Sequence, residues 1–592
     1  MAPKMFGLFP TILSMLTFAA YSKNLPVANM QVILSPAYRA PGSHFGDLLA
    51  VLAVTGIVNR NMPRLWLNSS AKSWVSGVPV MWPYPEADAQ WMKYLQNEKN
   101  ISFEVAADAS ICTLLGYDAV RTAVKGIVMY EENPSLDALK WVAVSAAGIY
   151  DGIPATAAML EQHKCIAALP VVFKVPPASS FSNDLAVYAW AIEKLLPLAS
   201  TKVLVGACHG WANYSCGWSD PLGVASIDFA TASRSMVINL SPDVTKHPHQ
   251  AALFTTFASH LDVLGVFTGW AEPESVMVEL LSRKDGVVVC GAPNLSFFAS
   301  LKVNTVKLPY HRSSTTLDRS QVYVTFQSNE GDTPKNAYSF RGGNWLLDSR
   351  GSVPISWGSA PIIADLFPGL WEFYVNTATD ADQFFSATGG AGYAHPWSML
   401  SPQQYYHKVA ELNGRFMPQD AWVDVWDGGC PAPVTPVGEN PCLPLYTAFA
   451  NATRHTSGPV GGFSQWCSGC NHTADPHYVF NAWLADGTPV FAQPASLWYP
   501  GDKGFCNRTD GGHGARPSPA SLEAEIKCIE DIVVRVMARN PQRPLFVPAY
   551  GVDNYVDVAR AVAKRVRGVQ VVGAQDFAAL GRAAAPTTHG RV

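Results

Sequence analysis

Residues 321–332 read QVYVTFQSNEGD, a stretch rich in β-branched and aromatic residues that ends in a polar, glycine-containing turn. This composition predicts a buried β-strand, Gln321–Gln327, followed by a loop. Similar stretches recur up to residue 572, and helical patterns separate most of them. The further strand candidates are Val353–Trp357, Gln383–Ala387, Ala421–Trp426, Val479–Trp483, Pro489–Phe491, Pro544–Pro548 and Val569–Val572.

Eight βα-like units in about 260 residues fit a (β/α)-barrel, because that fold repeats a strand and a helix at short spacing. The sequence therefore predicts an α/β protein with a barrel-like C-terminal domain over residues 311–585. Strands and helices also alternate before residue 311, and this alternation predicts smaller α/β domains with largely parallel sheets. Their predicted ranges are 23–100, 101–178 and 179–310, with boundaries near the Pro-rich residues 176–180 and the polar residues 309–318.

The N-terminus predicts secretion. Residues 1–22 carry Lys4 and then an apolar stretch up to Ala20 with small residues near its end, which is typical of a cleaved signal peptide. Entry into the secretory route would make Asn-x-Ser/Thr sequons usable for N-glycosylation. The sequons begin at Asn68, Asn100, Asn213, Asn239, Asn294, Asn451, Asn471 and Asn507.

The chain has 11 cysteines, and in a secreted protein most of them are expected to form disulfides. The short spacings Cys208–Cys216 and Cys430–Cys442 could each close a small loop. The odd count leaves at least one thiol without a partner in the same chain. The remaining cysteines of the C-terminal third are Cys467, Cys470, Cys506 and Cys528.

Composition excludes several classes of protein. Of the 592 residues, 48% are hydrophobic and 15% are charged, which indicates a well-buried globular protein rather than a disordered one. The formal net charge of -4 gives no basic surface for nucleic acid. After the signal peptide no stretch is long and apolar enough for a membrane span. The 18 Trp residues suit either stacking on sugar rings or a large core.

Two acidic residues follow the first barrel strand. Glu330 and Asp332 are two residues apart, so in extended backbone they project to the same side, and Gly331 allows a tight turn between them. Neighbouring carboxylates tend to have different pKa values, which supplies one acid and one base. The pair could instead hold a hard cation, or form an exposed acidic turn.

Other strand ends carry residues suited to sugars. Trp270 and Glu272 follow a strand candidate that ends at Thr268, and Asp427 follows Ala421–Trp426. Barrel enzymes place catalytic residues at such strand ends, so Glu272 is a third catalytic candidate and Trp270 and Asp427 are candidates for substrate binding. The alternative for residues 272–274 is that they open the next helix, where acidic side chains favour the helix dipole.

A glycine-rich loop follows the strand candidate Gln383–Ala387. Gly390 and Gly392 permit close backbone approach, Tyr393 could bind a sugar hydroxyl, and His395 stands beside it. No lysine follows at the spacing of a phosphate-binding loop. We predict that Glu330, Asp332, Trp357 and Tyr393 line one cleft, with Trp270 and Glu272 presented at the same mouth.

Histidines near the C-terminus raise the question of a metal. His472, Asp475 and His477 form a His-x-x-Asp-x-His pattern, and His513 lies further on. Such a set could hold a metal ion for hydrolysis. Because the pattern overlaps the sequon at Asn471 within a Cys-rich stretch, no metal or other cofactor is part of our prediction.

Residues 390–396, Gly-Ala-Gly-Tyr-Ala-His-Pro, resemble the signature of the GxGYxYP family, whose members are proposed to be glycoside hydrolases. His395 stands where the motif has its second Tyr. Residues 323–333 are similar to the family's strand that ends in Ser-Asp-Gly-Asp-Asn, with Glu330 replacing the first Asp and Thr333 the final Asn. Residues 353–357, 361–368, 269–272 and 294–296 are also similar. The resemblance implies small N-terminal α/β domains, a barrel-like C-terminal domain and sugar processing.

Three hypotheses for the function follow. The first is a secreted glycoside hydrolase in which Asp332 works with Glu330 or Glu272 on a carbohydrate substrate. The second is a glycan-binding or cell-surface protein without catalysis. The third is a metal-dependent carbohydrate deacetylase built on the histidines.

Overall fold

The computed structural model describes residues 30–35, 45–68, 87–108, 110–209, 226–304, 306–310, 315–328, 333–341, 343–426, 442–466, 479–492, 518–550 and 555–586. These residues form a mixed α/β protein with four sheets, in which nearly all strand pairs are parallel. Within this part of the chain, no helix has the length and apolar content required to cross a bilayer.

The first sheet contains β1 (Met30–Ser35), β2 (Leu65–Leu67) and β3 (Ile101–Val105) in the order β2-β1-β3. Helices Phe45–Asn59 and Ala87–Lys99 pack beside it. β3 lies just after residue 100 and pairs with β1, and the boundary predicted there stays a prediction.

The second sheet contains β4 (Gly126–Met129), β5 (Gly152–Ala155) and β6 (Val171–Lys174) in the order β5-β4-β6. Helix Ala138–Tyr150 lies against it. A disulfide between Cys112 and Cys165, 53 residues apart, joins two short helices of this unit. This pairing was not among those predicted from the cysteine spacing. The short helices are Ile111–Leu115, Asp118–Ala123, Ala157–Gln162 and Lys164–Ala167.

The third sheet is also parallel and has the order β10-β9-β7-β8. Its strands are β7 (Val203–His209), β8 (Met236–Ile238), β9 (Val266–Ala271) and β10 (Val287–Val289). The helices of this unit are Asp184–Lys194, Ile227–Ser233, Pro248–Ala258, Glu274–Ser282 and Leu295–Ser300.

The fourth sheet has nine strands among the described residues, in the order β16-β17-β15-β14-β13-β12-β11-β18, with β19 paired to β11. The strands are β11 (Val322–Ser328), β12 (Ile355–Ser359), β13 (Asp382–Ser386), β14 (Trp422–Trp426), β15 (Gly462–Trp466), β16 (Phe480–Trp483), β17 (Pro489–Ala492), β18 (Leu545–Tyr550) and β19 (Val569–Val571). The helices are Lys335–Tyr338, Ile362–Leu366, Pro368–Thr377, Pro402–Phe416, Leu443–Thr453, Pro519–Arg539, Tyr555–Arg565 and Ala574–Ala584.

This sheet is strongly curled. The Ser464 hydroxyl oxygen on β15 lies 3.4 Å from Gln327 Oε1 on β11, although the two strands are four places apart in the sheet. In a flat sheet such strands would lie about 19 Å apart, since neighbouring strands are about 4.8 Å apart. The two ends of the strand order also approach each other, because the Asn481 side chain on β16 bonds the backbone N–H and C=O of Phe546 on β18.

The structure thus shows a curled, half-barrel sheet, and the predicted (β/α)-barrel is not confirmed. Strand β16 runs antiparallel to β17, and β19 pairs with the first half of β11 on the edge where β12 pairs with its end. Between β16 and β18 the described residues form side-chain bonds rather than a backbone ladder. The regular eightfold repeat expected from the sequence is therefore replaced by an irregular closure.

The C-terminal helix Ala574–Ala584 covers one end of the curled sheet. It contacts β11, β12, β13, β14 and β17. Phe577 is fully buried in an aromatic cluster, with ring centroids 5.3 Å from Trp422, 5.6 Å from Phe491 and 5.5 Å from Phe546. The helix therefore fills the inside of the sheet at the amino ends of its strands.

We expect Phe577→Ala to destabilise the C-terminal unit by about 3–5 kcal/mol, because truncating a buried Phe removes apolar burial and leaves a cavity. Urea denaturation followed by aromatic circular dichroism would measure the change. Val534→Ala, at a side chain 52% exposed, is the control and should change the free energy of unfolding little. A loss below about 1 kcal/mol for Phe577→Ala would contradict the role given to this helix.

Candidate active site

The interior of the curled sheet, which we call the lumen, is polar above the aromatic cluster. Side chains alternate between the two faces of a strand, so Thr325 and Gln327 share the inner face with Tyr323, a member of the cluster. All three are fully buried. On β12 the Ser356 hydroxyl is 2.6 Å from that of Thr325.

Asp424 is an ionisable residue of this region. In β14 it lies between Val423 and Val425, which pack in the hydrophobic core on the outer face of the sheet, here called the outer core. Its side chain therefore shares the inner face with Trp422. Asp424 is 0% exposed. Its Oδ1 accepts a hydrogen bond from Ser464 at 2.5 Å. Burying a carboxylate is unfavourable unless hydrogen bonds or charges compensate, so a carboxylate at this position points to a functional role.

The predicted carboxylates follow strands that end at the same edge. Glu330 and Asp332 come after β11, which ends at Ser328, and Asp427 comes after β14. Glu330, Asp332 and Asp427 themselves lie outside the described residues. Parallel strands have their carboxyl ends at one edge of a sheet, and α/β enzymes build their sites there.

Trp357 lies on the other face of its strand. It is 0% exposed, and its Nε1 donates a hydrogen bond to Asp382 Oδ1 at 2.8 Å. Its ring packs edge-on against Trp345 at 4.8 Å in the outer core. The ring offers no open face to a sugar in this structure, so its predicted binding role stays a prediction.

The glycine-rich loop packs directly against β14. Gly389 and Gly390 have φ angles of 79° and 103°, which favour glycine. The Gly389 N–H donates to the backbone oxygen of Asp424 at 2.8 Å, and its own carbonyl accepts from the Tyr405 hydroxyl at 2.9 Å. A Cβ on Gly392 would come within 3.3 Å of Val287. These glycines allow close backbone packing, and the predicted substrate-binding role of Gly390 and Gly392 stays a prediction.

The second half of the loop binds the third unit. Tyr393 forms an antiparallel bridge with Val288 on β10, and its hydroxyl donates to Glu274 Oε1 at 2.9 Å. His395 Nδ1 lies 3.2 Å from Glu279 Oε2. Tyr393 is 5% exposed and belongs to the core of the preceding units. The loop therefore ties the third sheet to the strand that carries Asp424, and Tyr393 does not line an open cleft here.

Trp270 and Glu272 meet at the same junction. One carboxylate oxygen of Glu272 accepts from Trp270 Nε1 at 2.9 Å, and the other accepts from the backbone N–H of Glu274 at 3.0 Å. Glu272 thus satisfies an N–H at the start of helix Glu274–Ser282. The structure brings Trp270, Glu272 and Tyr393 together at this helix, whereas Trp357 lies in a different core.

Residues 320–420 match a GxGYxYP C-terminal domain. This segment begins just before β11 and ends just before β14. The family model is described as "GxGYxYP putative glycoside hydrolase C-terminal domain", and the match confirms the resemblance inferred from the motif. Asp424 lies just beyond the GxGYxYP domain match, in the next strand of the same sheet.

A solved structure shows the same fold along most of the chain. It is described as a "putative hydrolase from Bacteroides thetaiotaomicron VPI-5482" and superposes with a TM-score of 0.67 at 15% sequence identity. The alignment covers 94% of this chain and 96% of that chain. The comparison with curated proteins gives no match.

In the part of the chain that the structure describes, no group of three or more His, Cys, Asp or Glu side chains could hold a metal ion. His472, Asp475, His477 and His513 lie outside the described residues. The metal-dependent hypothesis therefore stays untested.

The junction around the GxGYxYP motif has a predictable pH dependence. The pKa of Glu279 is lowered from 4.5 to about 2, chiefly by the hydrogen bond from His395 and also by Ser398 and Arg283, although partial burial opposes this by raising it. A depressed pKa means that Glu279 stabilises the fold above its unfolded pKa, and that this contribution is lost as the pH falls toward 2.

We expect Glu279→Gln to lower the thermal midpoint near pH 5, and the difference from the wild type to shrink progressively between about pH 4.5 and pH 2. Calorimetry across this pH range measures both effects. Glu193→Gln, whose side chain is 69% exposed, is the matched control. A difference that stays constant down to pH 2 would show that Glu279 is not the group responsible.

Proposed function

We propose that this chain is a secreted glycoside hydrolase that cleaves a glycan at the carboxyl ends of the curled sheet. The observation that carries the proposal is Asp424, a carboxylate buried on the polar inner face of the curled sheet, in a strand whose carboxyl end lies at the same edge of the sheet as that of β11. The glycoside hydrolase description of the family model and the hydrolase description of the similar Bacteroides protein support it.

Asp332 and Glu330 are the proposed acid and base. Glycoside hydrolysis requires two carboxyl groups about 5–9.5 Å apart on either side of the scissile bond, with a separation that depends on the stereochemical outcome. Glu272 is not retained in this pair, because both of its oxygens are engaged at the start of helix Glu274–Ser282.

In this proposal Asp424 acts from inside the curled sheet, whereas the reacting carboxylates Asp332 and Glu330 follow the carboxyl end of β11. The transition state of glycoside hydrolysis carries positive charge on the sugar ring. A buried anion in a region of low dielectric stabilises such a charge more strongly than an anion in water does. The Ser464 hydroxyl fixes the Asp424 side chain by its 2.5 Å hydrogen bond, and Asp427 would contact substrate at the end of the same strand.

The experiment is a screen of the purified full-length chain against neutral and acidic polysaccharides, with released reducing ends measured and products identified by mass spectrometry. Hydrolysis of one glycan class, lost in Asp332→Asn, is the expected result. Binding of a glycan without turnover would instead favour the non-catalytic hypothesis. Release of acetate without chain cleavage would favour a deacetylase.

Secretion is part of the proposal and is testable through the sequons. Asn100 and Asn451 are exposed. Asn294 is 3% exposed, and its amide bonds the backbone N–H and C=O of Leu67. Peptide mapping of protein from a eukaryotic secretory host should find glycans at Asn100 and Asn451 and none at Asn294. Unmodified Asn100 and Asn451 would contradict secretion by this route.

A further inference from the structure

A cavity of about 310 Å³ lies between helix Ala87–Lys99 of the first unit and helix Pro368–Thr377 of the C-terminal unit. We call it the helix groove. Its volume is at the lower end of the range for small-molecule sites. The second helix packs in the outer core with Trp357, so the groove lies on the opposite side of the sheet from Asp424.

The walls of the helix groove are held together tightly. Trp91 stacks on Phe340 with centroids 4.9 Å apart and meets Phe373 edge-on at 4.8 Å. Beside them, Lys99 pairs with Glu372, and their side chains are only 9% and 1% exposed. The two helices cannot separate without breaking this cluster and a buried ion pair, so the groove is preformed and a ligand would find it already ordered.

One polar atom in the groove lacks a well-formed hydrogen bond. Tyr94 is 7% exposed, and its buried hydroxyl has only a weak contact with the Asn376 side chain within the described residues. Burial, and then the charge of Glu372, raise the pKa of Tyr94, so the hydroxyl stays protonated and can both donate and accept. A buried hydroxyl without a well-formed hydrogen bond is unfavourable, and a ligand hydroxyl would supply one.

The rest of the lining matches a sugar better than an ion. Gln90, Asn97 and Asn376 bring amide groups, which donate and accept hydrogen bonds as sugar hydroxyls do. Lys93 and Glu98 bring opposite charges, so the lining carries no net charge from this pair. Tyr94 and Phe373, with ring centroids 5.0 Å apart, supply apolar surface for the C–H face of a sugar ring.

We propose that the helix groove is a second glycan-binding site, separate from the lumen, that holds a neutral sugar ring through the Tyr94 hydroxyl and the surrounding amides. The choice of glycans as the ligand class rests on the proposed function, while the neutral, hydroxyl-rich character of the ligand rests on the groove itself. Such a site would hold a polymeric substrate on the protein while the lumen acts on another part of it.

The test measures binding of cellohexaose, xylohexaose, maltohexaose and chitohexaose to the full-length chain by calorimetry and saturation-transfer NMR. An Asp332→Asn background prevents consumption of the probes. We expect one probe to bind at two sites. Tyr94→Phe should weaken one of them about fivefold, the loss typical of a single hydrogen bond, and Asn376→Ala should weaken the same site. Tyr310→Phe, at a residue 45% exposed elsewhere, is the matched control and should change neither site.

The outcomes separate this inference from the proposed function. A probe whose binding depends on Tyr94 supports the groove even if no glycan is ever hydrolysed. If Tyr94→Phe and Asn376→Ala bind every probe with the stoichiometry and affinity of the parent, or if no probe binds the parent, the groove is not a glycan site. Hydrolysis measured separately on the chain with Asp332 intact then decides the proposed function alone.

Discussion

Asp332→Asn is expected to lower glycan hydrolysis by about a thousandfold or more, because general acid–base catalysis by a placed side chain contributes about 10²–10⁴ in rate. Asn keeps the size of Asp and part of its hydrogen bonding, but it neither takes up a proton nor carries charge. Glu330→Gln should reduce the rate less. Glu330 has one more methylene than the Asp at the matching position of the family motif, and a displacement of about 1 Å can cost about a hundredfold.

The measurement is initial rates on the first glycan that the wild type hydrolyses. Glycan affinity and thermal midpoints must match among the variants, so that misfolding does not mimic a catalytic loss. Full turnover by Asp332→Asn would show that another residue supplies the proton.

Asp424→Asn is the second large expected effect, a loss of about a hundredfold in turnover, which corresponds to about 2.7 kcal/mol of transition-state stabilisation. Asn still accepts the hydrogen bond from Ser464, so the fold should be kept, while the negative charge inside the lumen is lost. If Asp424 acts on the transition state, kcat should fall with little change in KM.

Ser464→Ala is the companion variant. It leaves the charge of Asp424 but removes the hydroxyl that orients it, so a smaller loss, about tenfold, is expected. An Asp424→Asn protein that keeps its turnover but melts much earlier would show that Asp424 is structural. Equal losses in both variants would show that orientation, rather than charge, is what the lumen supplies.

Much of the fourth sheet could be predicted from the sequence, because its strands are short runs of β-branched and aromatic residues. The predicted strand Gln321–Gln327 is observed as Val322–Ser328, and Gln383–Ala387 as Asp382–Ser386. Strand β15, Gly462–Trp466, was missed because it contains no β-branched residue and its two aromatic residues are separated by Ser464 and Gln465, so that no apolar run is present. Its partners β14 and β17, rather than its own composition, make it a strand.

One departure from a regular barrel, the antiparallel pairing of β16 with β17, could have been predicted from the local sequence. Strands β16 and β17 are separated by a short loop that contains Asp486 and Gly487, and Gly487 has a φ of 85°. Asp-Gly between two strand runs is a strong hairpin signal, and a hairpin makes the strands antiparallel. The curl of the sheet could not be predicted from local sequence, since the contact between Ser464 and Gln327 joins residues 137 apart in the chain.

Only part of the candidate site could be predicted from the sequence. Inspecting the residues after each strand identified Asp427 but passed over Asp424, which lies within β14. The alternation of Trp422, Asp424 and Trp426 with valines could have identified it, because a carboxylate on a buried face needs an explanation. The role of Tyr393 could not be inferred, since its partner Glu274 is 119 residues away.

The central claim is that glycan is cleaved at the carboxyl ends of the curled sheet, and the double variant Asp332→Asn/Asp424→Asn tests it most directly. The measurement is release of reducing ends from the glycan that the wild type hydrolyses, with equal amounts of folded protein. The account predicts release at about a thousandth of the wild-type rate or less, with no large further loss relative to Asp332→Asn alone, because residues that act as a unit are not additive. Retention of more than about a tenth of wild-type turnover by the double variant would contradict it, since losing a single proton-transfer residue costs at least about a hundredfold.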